Sequence, residues 1–163
     1  MFSGTTIIGL IIVLLCIIPI VLMFVSSKKK KARALNALKE LATESNKKVA
    51  QFDQWKENAI GTDEAHTMIF AVRKMKDSVL KYAINLSGVR SCKVINRSRT
   101  VKFEGGNTTL IEQLSLQFEY KDPSKGEMVL DFYHNGYDTV AIADELLLIQ
   151  KWEILIQDAL NKN

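Results

Sequence analysis

The residues best suited to proton chemistry lie in one short stretch, Asp131-Phe132-Tyr133-His134-Asn135-Gly136-Tyr137-Asp138. It brings two carboxylates, a histidine and two tyrosines onto a strand end and the turn that follows. Such groups exchange protons when a pocket and an orienting partner bring them together. Asn135-Gly136 is also an ordinary hairpin turn and Asp138 suits a turn, so a polar hairpin tip is the simpler reading. A small membrane-associated enzyme working through His134 and Asp131 is the weaker alternative, and no catalytic residue is assigned.

Other chemistries lack their signatures. His66 and His134 are far apart, and neither they nor Cys16 and Cys92 have the spacing of a zinc pair, so no metal is expected. There is no P-loop, dinucleotide fingerprint or nucleophile elbow, and Gly105-Gly106 is a turn with no helix after it to hold phosphate; no cofactor is expected. Basic side chains gather at Arg73, Lys74, Lys76 and Lys81, and again at Arg90, Lys93, Arg97, Arg99 and Lys102. Interspersed Lys and Arg are normal for a solvated face.

The elements that must position these groups begin with a sharp division of charge. Residues Met1 to Ser27 carry no charged side chain, so all 22 Lys+Arg and 18 Asp+Glu lie beyond them. Lys28, Lys29, Lys30, Lys31 and Arg33 supply five positive charges at the junction, leaving 17 basic against 18 acidic residues from Ala34 onward. The sequence pI of about 9.0 therefore reports one cluster and not a basic domain surface, and no nucleic acid is expected as a partner.

Ile7 to Val25 are nineteen residues, fifteen of them Leu, Ile, Val or Phe. As a helix they rise about 29 Å, close to the hydrocarbon thickness of a bilayer. Pro19 can kink such a helix, which membranes tolerate. A cleaved signal peptide fits poorly: Met1 to Thr6 contain no Lys or Arg, and no small-x-small site closes the apolar run. By the positive-inside rule Lys28, Lys29, Lys30, Lys31 and Arg33 keep the folded part cytoplasmic with the N-terminus outside, and the bilayer is the first expected partner. On that orientation the acceptor patterns at Asn85, Asn96 and Asn107 are chance matches, and Cys16 and Cys92 do not pair.

Beyond the junction, Lys30 to Ile60 contain no Pro or Gly and are rich in helix formers, which predicts a helical linker stopped by Gly61. Leu35, Leu38, Leu41 and Ala42, then Val49, Phe52, Trp55 and Ala59, recur near helical spacing with a gap at Ser45. The stripe serves either a homodimer or other protein partner through residues 35–59, or packing on the chain's own domain.

After Gly61 the period drops to two. Strands are expected at Met68–Arg73, Leu80–Leu86, Arg90–Ile95, Thr100–Phe103, Leu114–Tyr120, Glu127–Tyr133 and Tyr137–Ile142, joined by turns at Lys76-Asp77, Gly105-Gly106-Asn107, Asp122–Gly126 and Asn135-Gly136. Short links imply antiparallel neighbours. A helix from about Asp144 to Leu160 closes the chain with a stripe of Leu148, Ile149, Trp152, Leu155, Ile156 and Ala159. The predicted fold is α+β: a bent antiparallel sheet or partly open β-barrel of about seven strands, capped by that helix. The predicted divisions are 1–27 for the tail and membrane helix, 28–60 for the juxtamembrane segment and linker, and 61–163 for the β domain.

Several phrases resemble the pleckstrin-homology-like superfold. Ala59-Ile60-Gly61-Thr62-Asp63-Glu64 running into Met68-Ile69-Phe70-Ala71-Val72 resembles the approach to its first strand. Ile84-Asn85-Leu86-Ser87-Gly88-Val89-Arg90-Ser91-Cys92-Lys93-Val94 is similar to a passage in membrane-anchored bacterial proteins with a cytoplasmic domain of this kind, and Trp152 sits where its capping helix often carries a tryptophan. The resemblance covers about Ala59 to Leu160. It implies a bacterial inner-membrane location and a noncatalytic binding or scaffold module, with a partner docking at a sheet edge or a groove at Leu148, Trp152 and Leu155. Lipid-binding members hold phosphates with basic residues of the first hairpin, which makes Arg73, Lys74 and Lys76 the candidates for anionic lipid. The chain departs from that pattern with Asp77 at the tip and no Lys/Arg-x-Arg after Lys74 or Lys76.

Overall fold

The computed structural model describes residues 16–18, 28–103, 106–136, 138 and 144–162. The apolar run Ile7 to Val25 lies outside them apart from 16–18, as does the strand expected at Tyr137–Ile142 apart from Asp138. Among the described residues no helix is long and apolar enough to cross a membrane.

Helix α1 covers residues 28–44. It ends in a Schellman motif: the Asn46 N–H donates to Thr43 O at 2.9 Å and the Lys47 N–H to Ala42 O at 2.9 Å, with Asn46 left-handed at φ 54°. The expected helix through Ile60 therefore stops well short. Residues 51–60 instead belong to strands β1 (Gln51–Trp55) and β2 (Asn58–Thr62), joined by a two-residue turn in which Lys56 takes φ 50°. They pair with β3 (Met68–Lys74) and β4 (Val79–Asn85) in a four-stranded antiparallel meander, β1-β2-β3-β4.

A second antiparallel meander contains β5 (Val89–Phe103), β6 (Gly106–Tyr120) and β7 (Glu127–His134). The two strands expected at Arg90–Ile95 and Thr100–Phe103 are one continuous β5 with a register shift between Arg97 and Ser98. The last element, α2 (Glu145–Lys162), follows the predicted helix closely. The described strands thus form two separate sheets and no closed barrel. Their number matches expectation only because two unforeseen strands replace a merged pair and a stretch outside the described residues.

Strand alternation divides the first sheet between two cores. Trp55, Ile60, Ile69, Ala71 and Ile84 face the second sheet and α2, meeting Cys92, Leu114, Leu116, Phe118, Leu130, Phe132, Ile149, Trp152 and Ile156. Ala59, Phe70 and Val72 face the other way, onto Ala34, Leu38, Leu41 and Ala42 of α1. The stripe offered for self-association is thus largely occupied by the chain's own sheet, because the central strands are apolar on both faces and need cover on both.

Gly61 is not a helix stop but the middle of β2, opposite Phe52 and Phe70. A Cβ there would lie 2.9 Å from Val49 Cγ1 and 3.0 Å from Leu38 Cδ2, so the bare backbone lets α1 approach the sheet. On the other side, the β6–β7 ladder steps from Ser115↔Asp131 to Leu114↔Tyr133 and leaves Phe132 out of register. The Trp55 indole stacks on the Phe132 ring at 4.3 Å and donates to the Phe132 carbonyl at 3.0 Å, which joins the two sheets.

Candidate functional site

A surface cavity lies where the start of α1 meets the β3–β4 hairpin. Its construction follows from register. Val72 pairs with Lys81 and Lys74 with Val79, all four on the α1 side of the sheet, so two valines and two lysines alternate in a checkerboard. A four-residue turn, tied by the Met75 N–H to Ser78 O at 2.8 Å, fixes that register, and the Asn58 side chain accepts from the Lys74 N–H at 2.8 Å. From α1 come Lys30, Arg33, Ala34 and Ala37, one turn apart along a single face.

The result is a cavity of about 320 Å³ whose apolar lining is Ala34, Ala37, Val72 and the exposed Val79. Its rim carries four cations, Lys30, Arg33, Lys74 and Lys81, against one carboxylate, Glu57. Glu57 is paired with Lys30 at 2.7 Å, and Gln54 Nε2 donates to the Lys31 carbonyl at 2.7 Å, which ties the β1–β2 hairpin to the same turn of α1. Among the described residues, Arg33, Lys74 and Lys81 enter no ion pair. Three cations thus line one cavity with no ion pair of their own among the described residues.

The residues singled out from the sequence separate accordingly. Lys28, Lys29, Lys30, Lys31 and Arg33 are exposed in the first turns of α1, where Lys30 and Arg33 are pocket residues as well as junction charges. Of the lipid candidates, Lys74 lines the cavity, and Lys76 is exposed in the β3–β4 turn outside the cavity lining. Arg73 is a correction. It points to the opposite face, its side chain is 2% exposed, and it forms an ion pair with Asp138 at 2.6 Å. Adjacent residues of a strand face opposite ways, so Arg73 and Lys74 never shared one surface.

The groove candidates also divide. Trp152 is wholly buried, with its Nε1–H given to Asp53, so it belongs to the core and is not open to a partner. Leu148 and Leu155 are half-buried, and Leu155 lines a smaller cavity of about 200 Å³ with Gln51, His66, Asp158 and Lys162. His66 Nδ1 is buried and has no hydrogen-bond partner among the described residues.

In the Asp131–Asp138 stretch, Asp131 accepts from Ser115 Oγ at 2.6 Å and Gln113 Nε2 at 2.9 Å. Asp138 accepts from Arg73 and from the His134 N–H at 2.7 Å, while His134 Nδ1 accepts from the Gly136 N–H at 3.0 Å. These bonds close the turn after β7 and tie it to β3. Burial, with Glu153 adding to it, pushes the Cys92 thiol up to about 12 and keeps it protonated. Among the described residues no three His, Cys, Asp or Glu side chains converge as metal ligands.

The sequence pattern marks Lys81 only as part of a charged face, and marks Lys30 and Arg33 as topology signals and as general attractors of acidic head groups. The available signal was the spacing itself: Val72 and Lys74, then Val79 and Lys81, stand two apart on strands joined by a short turn. In comparison with known proteins, no family model, curated protein or solved structure matches this chain.

Proposed function

We propose that this chain is a single-pass membrane-anchored protein whose folded part is a pleckstrin-homology-like, noncatalytic binding or scaffold module on the cytoplasmic face of a bacterial inner membrane. The fold supports the likeness in its order of elements: a four-stranded meander, a three-stranded meander and a closing amphipathic helix. One observation carries the functional reading. The five junction charges begin α1, and α1 is packed onto the first sheet through Ala34, Leu38, Leu41 and Ala42. Because that helix is packed on the module, the chain from Lys28 onward adds no flexible tether between anchor and module.

A partner would engage the module through an outer sheet edge or the cavity beside Leu155, where extended or helical peptides dock by backbone pairing or groove filling. The test is alkaline extraction of membranes from cells making the full chain, with protease added to sealed spheroplasts. The protein is expected in the pellet, released by detergent only and protected from the external protease. Recovery in the soluble fraction, or digestion of the folded part from outside, overturns the proposal.

A further inference from the structure

We propose that the far half of the β5–β6 ribbon is a homodimer contact, in which the free edge of β6 at residues 106–111 pairs antiparallel with the same segment of a second copy, an inference that rests on the anchored reading above. Register defines this arm. β7 pairs with β6 only from Glu119 to Gln113, whereas β5 follows β6 through six further pairs, from Ser98↔Ile111 to Phe103↔Gly106. Beyond Gln113 the described ribbon is therefore two strands wide, with Ser98, Arg99, Thr100, Lys102 and residues 106–110 exposed. Thr100, Val101, Thr108 and Thr109 favour strand, yet a two-stranded ribbon alone in water is marginal, so a further strand stabilises it.

The two edges of the arm are unlike. Its β5 strand carries Arg97, Arg99 and Lys102, while residues 106–111 contain no charged side chain and no proline. Charge and proline are what keep an exposed edge from pairing, so the β5 edge is guarded and the β6 edge is open. A second copy fits the open edge because the segment is complementary to itself. Antiparallel pairing of like strands is symmetric about one residue, and centred on Thr109 it sets Thr108 opposite Leu110 and Asn107 opposite Ile111, with no charges opposed. Pairing two β5 edges would instead set the cations of one arm against those of the other. Six residues span about 20 Å, too little edge for a stable dimer in solution, where specific interfaces bury about 1,200–2,000 Å². Copies anchored in one bilayer meet in a common orientation and at a raised effective concentration, which makes the contact a property of the anchored protein.

The experiment co-expresses two differently tagged full-length copies, both Cys16→Ser so that the leading segment cannot cross-link, and oxidises the isolated membranes. Cys92 is buried. Thr109→Cys is expected to give a disulfide-linked product carrying both tags, about tenfold above Thr100→Cys, its neighbour across the ribbon on the guarded strand, because only the first brings two copies within disulfide reach. Adding Thr108→Lys and Leu110→Lys sets like charges opposite one another and is expected to remove the product, with the unfolding midpoint by tryptophan fluorescence unchanged as the sign that the variant is folded. Cross-linking at Thr109 no stronger than at Thr100, or surviving the two lysine substitutions, overturns the dimer and leaves the anchor standing. A product with a mass other than that of two copies puts a different protein at the edge and also overturns the dimer. A chain absent from the membrane pellet overturns the anchor, and the dimer with it.

Discussion

The indole Nε1–H of Trp152 in α2 donates to Asp53 Oδ2 in β1 at 2.9 Å, and Lys151 Nζ reaches the same oxygen at 2.6 Å. The last helix is thereby bonded to the first strand. Lys56, in the turn after β1, adds a 2.8 Å ion pair to Glu145 in the first turn of α2, so the β1–β2 hairpin holds the helix at its start and near its middle. A stretch that reads as linker is in this way a supporting wall for the core tryptophan.

Asp53→Ala leaves the buried indole N–H without an acceptor and is expected to destabilise the chain by about 1–3 kcal/mol. Asp53→Asn keeps an oxygen in place and costs less. Thermal unfolding of the detergent-solubilised protein, followed by tryptophan fluorescence, ranks the three; an alanine variant as stable as the parent contradicts the bond's role.

The Arg73–Asp138 pair predicts an asymmetry. Arg73 is 2% exposed and Asp138 11%, so removing the carboxylate strands the deeper charge. Asp138→Ala is expected to cost about 3–5 kcal/mol, as for other broken buried pairs, and more than Arg73→Met. Comparison of urea midpoints decides it, and equal losses, or a greater loss for Arg73→Met, count against the pair as described. Because Arg73 faces the core, the methionine variant also leaves any preference for acidic lipid intact.

Acid should loosen the turn between β2 and β3. Burial alone raises the Asp63 pKa, but the hydroxyl of Thr67, the Met68 N–H, Lys47 and the Thr67 N–H all donate to the carboxylate and bring it down to about 2. The folded pKa lies below the ordinary value of 3.8, so the stabilisation is complete above about pH 4 and is lost as pH falls toward 2. A shift of this size corresponds to about 2 kcal/mol. Between pH 4 and pH 2 the parent should lose more stability than Asp63→Asn, and parallel pH profiles for the two refute the assignment.

The docking of α1 is tested at its closest approach. Gly61→Ala forces a methyl group against Leu38 and Val49 and is expected to cost about 1–3 kcal/mol by overpacking. Leu38→Ala opens a cavity at the same contact and costs about 2–5 kcal/mol. If α1 were instead a dimer stalk, both losses would depend on protein concentration. Equilibrium unfolding at several concentrations separates the two cases, and a midpoint that moves with concentration argues against the docked helix.

Local signals in the chain were enough for elements whose pattern is self-contained. The alternation in Leu114–Tyr120 and Glu127–Tyr133, the Asp122–Gly126 turn and the wide stripe of the last helix each name their structure, because a half-buried element records its burial in its own period. The helix end at Asn46 was also written locally, in Ser45-Asn46, but the helix-forming composition around it outweighed the signal. β1 and β2 were not legible: Lys56-Glu57 lacks the usual turn residues, and Phe52, Trp55 and Ala59 mimic helical spacing. β2 is buried on both faces and therefore shows no alternation.

The division of charge along the chain, the apolar leading segment and the basic junction are properties of the sequence by itself, since they need no folding to be true. Only the tertiary structure decided which charges are neighbours. It sent Arg73 inward and Lys74 outward, brought Lys74 and Lys81 to Lys30 and Arg33, and put α1 on its own sheet. Pairing register and helix docking join residues tens of positions apart, and the free energy that selects them comes from burying both faces of the first sheet at once, a quantity no single segment contains.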